Sequence, residues 1–308
     1  MEDVAHNPEK GKKVLSRKAW LWIAGGSAAL LLVLLLIGLS TEWFGLYGPL
    51  TKVAMGTKKL ADAGNVTVGF SVAAPGDTRA EGTLECCWNL EMRDVSADLQ
   101  MKLNGEDYRF GLVDGHVVWR NDRGKAKSAD ISEELNDLFD AMESESDLDE
   151  SLAEFLKSVF KTAGIHKMVD VENAVACLKD GFFRWNRTSW LEENAGFTLE
   201  KEDDTACYSF EPKTGKLLLE MMRQFEPAFK DHSDYLDVIS GLRELKPQLN
   251  EDYRIDAKLT LIDGVLSQID ADVDWKETQV SATVRFEEVG TTKVDTTFLR
   301  GIKNEADQ

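Results

Sequence analysis

The histidines, whose imidazole rings most often bind metals or transfer protons, are too scattered to indicate a reaction centre. They are His6, His116, His166 and His232. None of them is spaced from another histidine or a cysteine as zinc ligands are. Residues 231–234 (Asp-His-Ser-Asp) could bind a metal weakly, but the same pattern is typical of a solvated helix start, which we favour. The sequence predicts no metal site and no cofactor.

Signatures of enzymes with a nucleophilic serine or a bound nucleotide do not occur. The sequence has no Gly-x-Ser-x-Gly, no phosphate-binding Gly-x-x-x-x-Gly-Lys loop and no Gly-x-Gly-x-x-Gly. Asp270, Asp272 and Asp274 alternate with apolar residues, so we expect them on the wet face of a strand. With 55 Asp and Glu residues, paired carboxylates for glycoside chemistry arise by chance. We expect that the protein is not an enzyme.

The cysteines could serve redox chemistry or form a disulfide. They are Cys86, Cys87, Cys177 and Cys207. No Cys-x-x-Cys occurs, so thiol redox chemistry is not expected, and adjacent cysteines rarely pair with each other. An oxidising compartment would permit a structural disulfide between Cys177 and Cys207. The alternative is that all four are free thiols.

A long apolar segment near the N-terminus predicts a membrane anchor. Residues 19–39 carry no charge, and about 20 helical residues suffice to span a bilayer core. Tryptophans at the start of the segment and just after its end lie where aromatic belts form. The residues assigned to the anchor are Trp20, Trp22, Leu30, Leu34 and Trp43. A cleaved signal peptide and a buried soluble helix are the alternatives.

The charges beside this segment predict its orientation. Five Lys and Arg residues precede it, and the first basic residue after it is Lys52. Because basic flanks stay on the cytoplasmic side, we expect a single-pass protein of the cell membrane with an extracytoplasmic C-terminal part. The expected parts are a cytoplasmic tail (1–18), the anchor (19–40), a juxtamembrane helix or linker (41–63), an α+β domain (64–300) and a C-terminal tail (301–308).

The net charge and the hydrophobic periodicity narrow the fold and the partners. A formal net charge of −19 disfavours nucleic acid, whose phosphates need clustered Lys and Arg. Residues 66–72 and 84–92 alternate apolar and polar side chains, as strands with one wet face do. Asn104-Gly105 and Asp263-Gly264 are hairpin signals. Helical periodicity fills the middle of the chain, so we predict an α+β fold whose curved antiparallel sheet is covered on one face by amphipathic helices.

Aromatic and methionine side chains on these elements could line an apolar cavity, because such residues adapt to irregular ligands. The candidates are Trp88, Met101, Phe110, Trp119, Met221, Met222, Phe225 and Phe229. The alternative is that they fill an ordinary core between sheet and helices.

The order meander, helices, hairpin, helices, meander resembles the LolA/LppX/LprG-like lipoprotein-carrier superfamily over about residues 64–300. Residues 257–269 (AKLTLIDGVLSQI) are similar to that superfamily's strand–Asp-Gly–strand hairpin. The resemblance implies a half-open barrel (half-barrel) whose concave face, plugged by helices, holds acyl chains.

Three functional hypotheses follow. The first is a membrane-anchored extracytoplasmic domain that binds a lipid-like ligand or an envelope protein between sheet and helices. The second is a non-catalytic structural or sensory ectodomain with a dry core and a protein partner. The third is an unrecognised hydrolase. A cavity between sheet and helices would favour the first hypothesis, and a filled core the second.

Overall fold

A computed structural model describes residues 48–307, apart from residues 77, 90, 121–123, 144–152, 154, 155, 158, 159, 162–165 and 277. The helices are α1 (Pro49–Asp62), α2 (Ser132–Glu143), α3 (Val171–Trp185), α4 (Thr188–Ala195), α5 (Thr214–Gln224), α6 (His232–Asp252) and α7 (Thr296–Ala306), with a 3-10 turn at Glu226–Ala228. The strands are β1 (Asn65–Ala74), β2 (Thr78–Asn89), β3 (Asp94–Leu103), β4 (Glu106–Val113), β5 (His116–Arg120), β6 (Ala126–Asp130), β7 (Thr198–Glu202), β8 (Thr205–Phe210), β9 (Tyr253–Ile262), β10 (Val265–Trp275) and β11 (Thr278–Glu287).

The strands form one 11-stranded antiparallel sheet in the order β6-β5-β4-β3-β2-β1-β11-β10-β9-β8-β7. Two meanders therefore lie side by side, and they are joined where β1 pairs with β11. In this pairing Val68 lies opposite Phe286, and Phe70 lies opposite Val284. The α+β class and the antiparallel sheet are confirmed.

The prediction of a single-pass membrane protein, with a spanning helix in its fold class and an extracytoplasmic domain, is contradicted. Among residues 48–307, with the gaps given above, no helix is long and apolar enough to cross a membrane. The reason lies in their charged faces: even α6, with 21 residues, carries seven charged side chains. Segment 19–40 itself, with Trp20, Trp22, Leu30 and Leu34, lies outside the described residues, and so does Trp43 after it.

The two hairpin turns that the sequence predicts are formed. Asn104 and Gly105, between β3 and β4, have φ angles of 52° and 89°. Asp263 and Gly264, between β9 and β10, have 53° and 70°. A type I′ turn requires two successive positive φ angles, which glycine adopts freely and Asn or Asp tolerates. These local turns set the register of the neighbouring strands.

Helices cover the sheet unevenly and form buried clusters with it. Around α1 and α4, Val53 and Leu191 pack with Tyr208, Leu261 and Leu266 of the sheet. A second cluster lies among the helices themselves and joins α3, α5 and α6 with the 3-10 turn. Its buried members are Leu156, Phe160, Val169, Ala174, Val175, Cys177, Leu219, Ala228, Phe229, Tyr235 and Ile239.

The last helix, α7, packs on the other side of the sheet from α1. Leu299 and Ile302 are buried against Val113 of β4 and Val118 of β5. Gly111 allows this approach, because a Cβ atom at that position would collide with the Leu299 side chain. Residues 301–306, expected in a C-terminal tail, therefore belong to a packed helix.

Paired charges fix α7 in its position. The guanidinium of Arg120 donates to both carboxylate oxygens of Glu305, at 2.9 and 2.6 Å. Arg300 donates in the same bidentate way to Asp114, at 2.9 and 2.8 Å, and these hydrogen bonds lower the pKa of the Asp114 carboxyl. Because both pairs are solvent-exposed, they orient the helix more than they stabilise it.

Leu299→Ala should lower the free energy of unfolding by about 2 to 5 kcal/mol, because it leaves a cavity at a fully buried site. The neighbouring Thr297 is exposed, so Thr297→Ala should change the free energy by no more than about 0.5 kcal/mol. Urea denaturation followed by circular dichroism measures both. Equal, small effects would mean that α7 does not pack as described.

Candidate functional site

Six neighbouring strands present one continuous face without a charged side chain, which we call the apolar face. The registers of β1, β2, β3, β9, β10 and β11 align their side chains across the sheet. The residues concerned are the even positions of 66–72, 80–88 and 280–286 and the odd positions of 95–103, 255–261 and 269–275. All of them are aliphatic or aromatic except Gly82, Cys86 and Met101. Charged residues such as Asp270 and Asp272 lie on the opposite face, as the alternation predicts.

The centre of the apolar face is less buried than its aliphatic and aromatic side chains lead one to expect. Phe70, Leu99 and Val284 are only half-buried, and Val72 is 36% exposed. Val118, in contrast, lies on the opposite face beneath α7 and is 0% exposed. Apolar side chains are normally the most buried ones in a protein. The partial exposure of these side chains therefore indicates that the described helices cover the apolar face only in part.

Helix α1 covers one end of the apolar face. Trp88 lies there and donates from Nε1 to the carbonyl oxygen of Ala61, at 2.9 Å. Val66, Leu261 and Leu266 at the same end are 3 to 5% exposed. Because Gly56 has no side chain, α1 can lie directly on Leu261.

The opposite end of the face lies beyond Val72, at the β1–β2 and β10–β11 turns. Tyr253 and Trp275 lie opposite each other here on β9 and β10. Their rings are stacked, with centroids 5.8 Å apart and an interplanar angle of 10°. The face is therefore covered at the α1 end and bordered by two aromatic rings at the other.

The residues predicted to line a cavity fall into two groups. Trp88 and Met101 lie on the apolar face, and Phe110 and Trp119 continue it onto β4 and β5. The helical residues lie in a different place. Met222, Phe225 and Phe229 belong to the cluster among the helices, and Met221 is half-buried on α5.

Rings pack closely in that helical cluster. Phe160 and Phe225 make an edge-on contact at 6.3 Å between centroids. Phe229 and Tyr235 make a second one at 5.5 Å. Edge-on pairs at these distances are typical of packed cores. The structure therefore brings together the predicted residues of the sheet, but not those of the sheet with those of the helices.

A groove of about 1080 Å³ borders β2–β5 beside α7. Met101, Phe110 and Trp119 are among its lining residues, and Phe298 and Ile302 of α7 form another part of its wall. Charged side chains, including Arg109, also line it. It is thus more polar than the apolar face.

Arg109, a charged residue of this groove, is paired within the protein. It donates in a bidentate manner to Asp98, which is 2% exposed, with an Nε–Oδ1 distance of 2.9 Å. The hydrogen bond to Asp98 raises the pKa of the Arg109 guanidinium. The Phe298 ring lies over the guanidinium, 4.0 Å from ring centroid to Cζ. Since both charges are satisfied within the protein, Arg109 serves to attach α7 to the sheet.

The cysteines are all free thiols. Cys177 on α3 and Cys207 on β8, the predicted disulfide partners, are both buried. Burial, with a smaller contribution from Cys87, raises the pKa of Cys86 to about 11. A thiol with so high a pKa is a poor nucleophile at neutral pH.

The residues considered for metal binding have structural roles. The carboxylate of Asp231 accepts from the backbone N–H of Ser233 at 2.8 Å and caps the N-terminus of α6, as the helix-start interpretation predicts. His232 lies 3.3 Å from a carboxylate oxygen of Glu226. Within the part of the chain that the structure describes, no group of three or more His, Cys, Asp or Glu residues is arranged to hold a metal ion.

Some residues of this site were missed by the sequence analysis. Helix α7 was not predicted, since its residues were divided between the end of the α+β domain and a C-terminal tail. Asp295 before Leu299 and Ile302 is nevertheless a helix-start signal followed by apolar residues at helical spacing. The sequence pattern indicated a strand that begins at Tyr253 but did not single out Trp275, and only the paired register places the two rings together.

No protein-family model and no curated protein matches the sequence.

Cys86 in the folded protein should react with iodoacetamide about 100-fold more slowly at pH 8 than in urea. A pKa raised from 9.0 to about 11 lowers the thiolate fraction by that factor. Fragmentation of the labelled peptide in the mass spectrometer distinguishes Cys86 from Cys87, and the same protein unfolded in urea is the control. Equal rates in both states would contradict the burial of Cys86.

Proposed function

We propose that the protein is a non-catalytic binding protein that holds an apolar, lipid-like ligand against the centre of its apolar face. The observation that carries the proposal is the combination of an uncharged surface across six strands with side chains that remain half-exposed at its centre. Monomeric proteins rarely leave a large contiguous apolar patch uncovered unless it binds something.

The energetics favour a ligand that is itself apolar. Burying apolar surface stabilises by about 25 cal/mol per Å², and a charged group placed on this face would meet no countercharge among the apolar-face side chains of the six strands. A hydrocarbon chain gains from the contact without leaving a polar group unsatisfied. The aliphatic floor of the face around Phe70 and Val284, with rings at the Trp275 end, therefore suits an alkyl or acyl chain.

The resemblance to the lipoprotein-carrier superfamily supports the same proposal. In that superfamily a half-open barrel holds acyl chains on the face where the helices lie. The sheet described above has two free edges, β6 and β7, and α1 and α4 lie on its apolar face, an arrangement compatible with such a barrel.

A second candidate function is a structural or sensory domain that binds another protein. The packed rings of the helical cluster favour it, because Phe229 is buried in that cluster and Met222 and Phe225 pack against it. The two candidates differ in what covers the apolar face: a hydrocarbon chain in the first, and a protein surface in the second.

Ala282→Trp should abolish binding of the neutral dye N-phenyl-1-naphthylamine while changing the free energy of unfolding by less than about 1 kcal/mol. Ala282 is half-buried near the middle of the apolar face, between Ala271 and Val72 on the neighbouring strands. An indole would therefore fill the space the ligand needs. Dye fluorescence and native mass spectrometry of co-purifying lipid, both on the full chain, measure the loss.

Gln279→Trp is the matched control, because Gln279 is exposed on the opposite face of the same strand. It should leave dye binding unchanged. If the parent binds neither dye nor lipid and Ala282→Trp destabilises by about 1 to 3 kcal/mol, as overpacking does, the face is a packed core and the proposal fails.

A further inference from the structure

A second concave site lies on the outer side of α1, between this helix and the β7–β8 and β9–β10 turns. It has a volume of about 310 Å³, near the lower limit for small-molecule sites. Its floor is apolar and includes Met55, Ala206 and Leu261. Met55 is 52% exposed, so this floor is open to solvent. We refer to this site as the lysine groove.

Three lysines, Lys52, Lys59 and Lys201, line the lysine groove. All three side chains are exposed. Lys59 donates to the backbone oxygen of Asp263 at 3.3 Å. Lys52 and Lys201 form no ion pair with any residue that the structure describes, so their charges remain available to a ligand.

The positive charge of the lysine groove contrasts with the rest of the protein. Two carboxylates, Asp203 and Asp204, also line the groove, so the three lysines leave one positive charge in excess. The whole chain carries a net charge of −19. A local positive excess beside an apolar floor favours a ligand that joins an anionic group to a hydrocarbon segment.

The wall of the lysine groove is held in place by the backbone. The N–H of Asp263 donates to the carbonyl oxygen of Asp204 at 2.9 Å and connects the two turns. Tyr208 and Leu261 beneath them are 2% and 3% exposed. The groove therefore has a rigid floor and needs no rearrangement to accept a small ligand.

We propose that the lysine groove is a second binding site, separate from the centre of the apolar face, for an anionic amphiphile. Its ligand carries a carboxylate or a phosphate, held by Lys52 and Lys201, on a hydrocarbon segment that covers Met55 and the floor. A free fatty acid and the phosphate end of a lipid share this chemistry.

The test measures binding of dodecanoate, dodecyl phosphate and dodecan-1-ol to the full chain by isothermal titration calorimetry. The Ala282→Trp variant serves as the parent, because its apolar face is blocked and only the lysine groove remains. We expect the two anions to bind more tightly than the alcohol. Tighter binding of dodecanoate would indicate a free fatty acid as the ligand, and tighter binding of dodecyl phosphate would indicate the phosphate end of a lipid. Added salt should weaken the binding of both anions.

Lys52→Gln combined with Lys201→Gln should weaken binding of the anions about five- to tenfold and leave binding of the alcohol unchanged, because two exposed charge interactions are lost. The matched control is Lys58→Gln. Lys58 lies on the same helix but pairs with Asp62 at 3.0 Å, so this variant should bind as its parent does.

Equal affinity for anions and alcohol, or unchanged anion affinity in the double variant, would overturn the proposal. Loss of all anion binding in Ala282→Trp itself would also overturn it, because the anions would then bind only at the apolar face. The apolar-face proposal is decided separately, by dye binding to the unmodified chain, so its failure can be distinguished from failure of the lysine groove.

Discussion

The pairing of β1 with β11 is the interaction on which the rest of the structure depends. It joins the first strand to the last, with Val68 opposite Phe286, across about 200 residues of chain. The entropy cost of closing so long a loop grows only slowly with its length, and the backbone hydrogen bonds of two long strands offset it. Without this pairing the protein would be two separate meanders, each with an unpaired edge.

The same pairing creates the apolar face. It aligns Phe70 with Val284 and continues the row to Ile269 on one side and Gly82 on the other. Neither meander alone presents an uncharged surface of this width. The helices then cover one end, through α1, and leave the middle half-exposed, while α7 seals part of the opposite face over Val113 and Val118. The binding surface is thus a consequence of strand order and of unequal helix cover.

The features that the sequence predicts correctly are those that depend on residues close together in the chain. The alternation at 66–72 and the Asn104-Gly105 turn yield the strands and their facing, because side-chain direction and turn geometry are local properties. What could not be predicted is which elements meet. Met222 and Phe225 have the same apolar spacing whether they face a sheet or another helix, and only the fold places them in the helical cluster. The membrane prediction came from segment 19–40 and the charges beside it. Among the described residues no helix is long and apolar enough to cross a membrane.

In the proposed complex the ligand lies at the middle of the apolar face, at the β1–β11 pairing. A crystal structure of the full chain grown with 12-bromododecan-1-ol tests it most directly, because bromine can be located by its anomalous scattering. We expect a bromine position and a continuous hydrocarbon density in contact with Phe70, Ala282 and Val284. Side chains of the helices packed onto these three residues, with no bromine on the face, would contradict it.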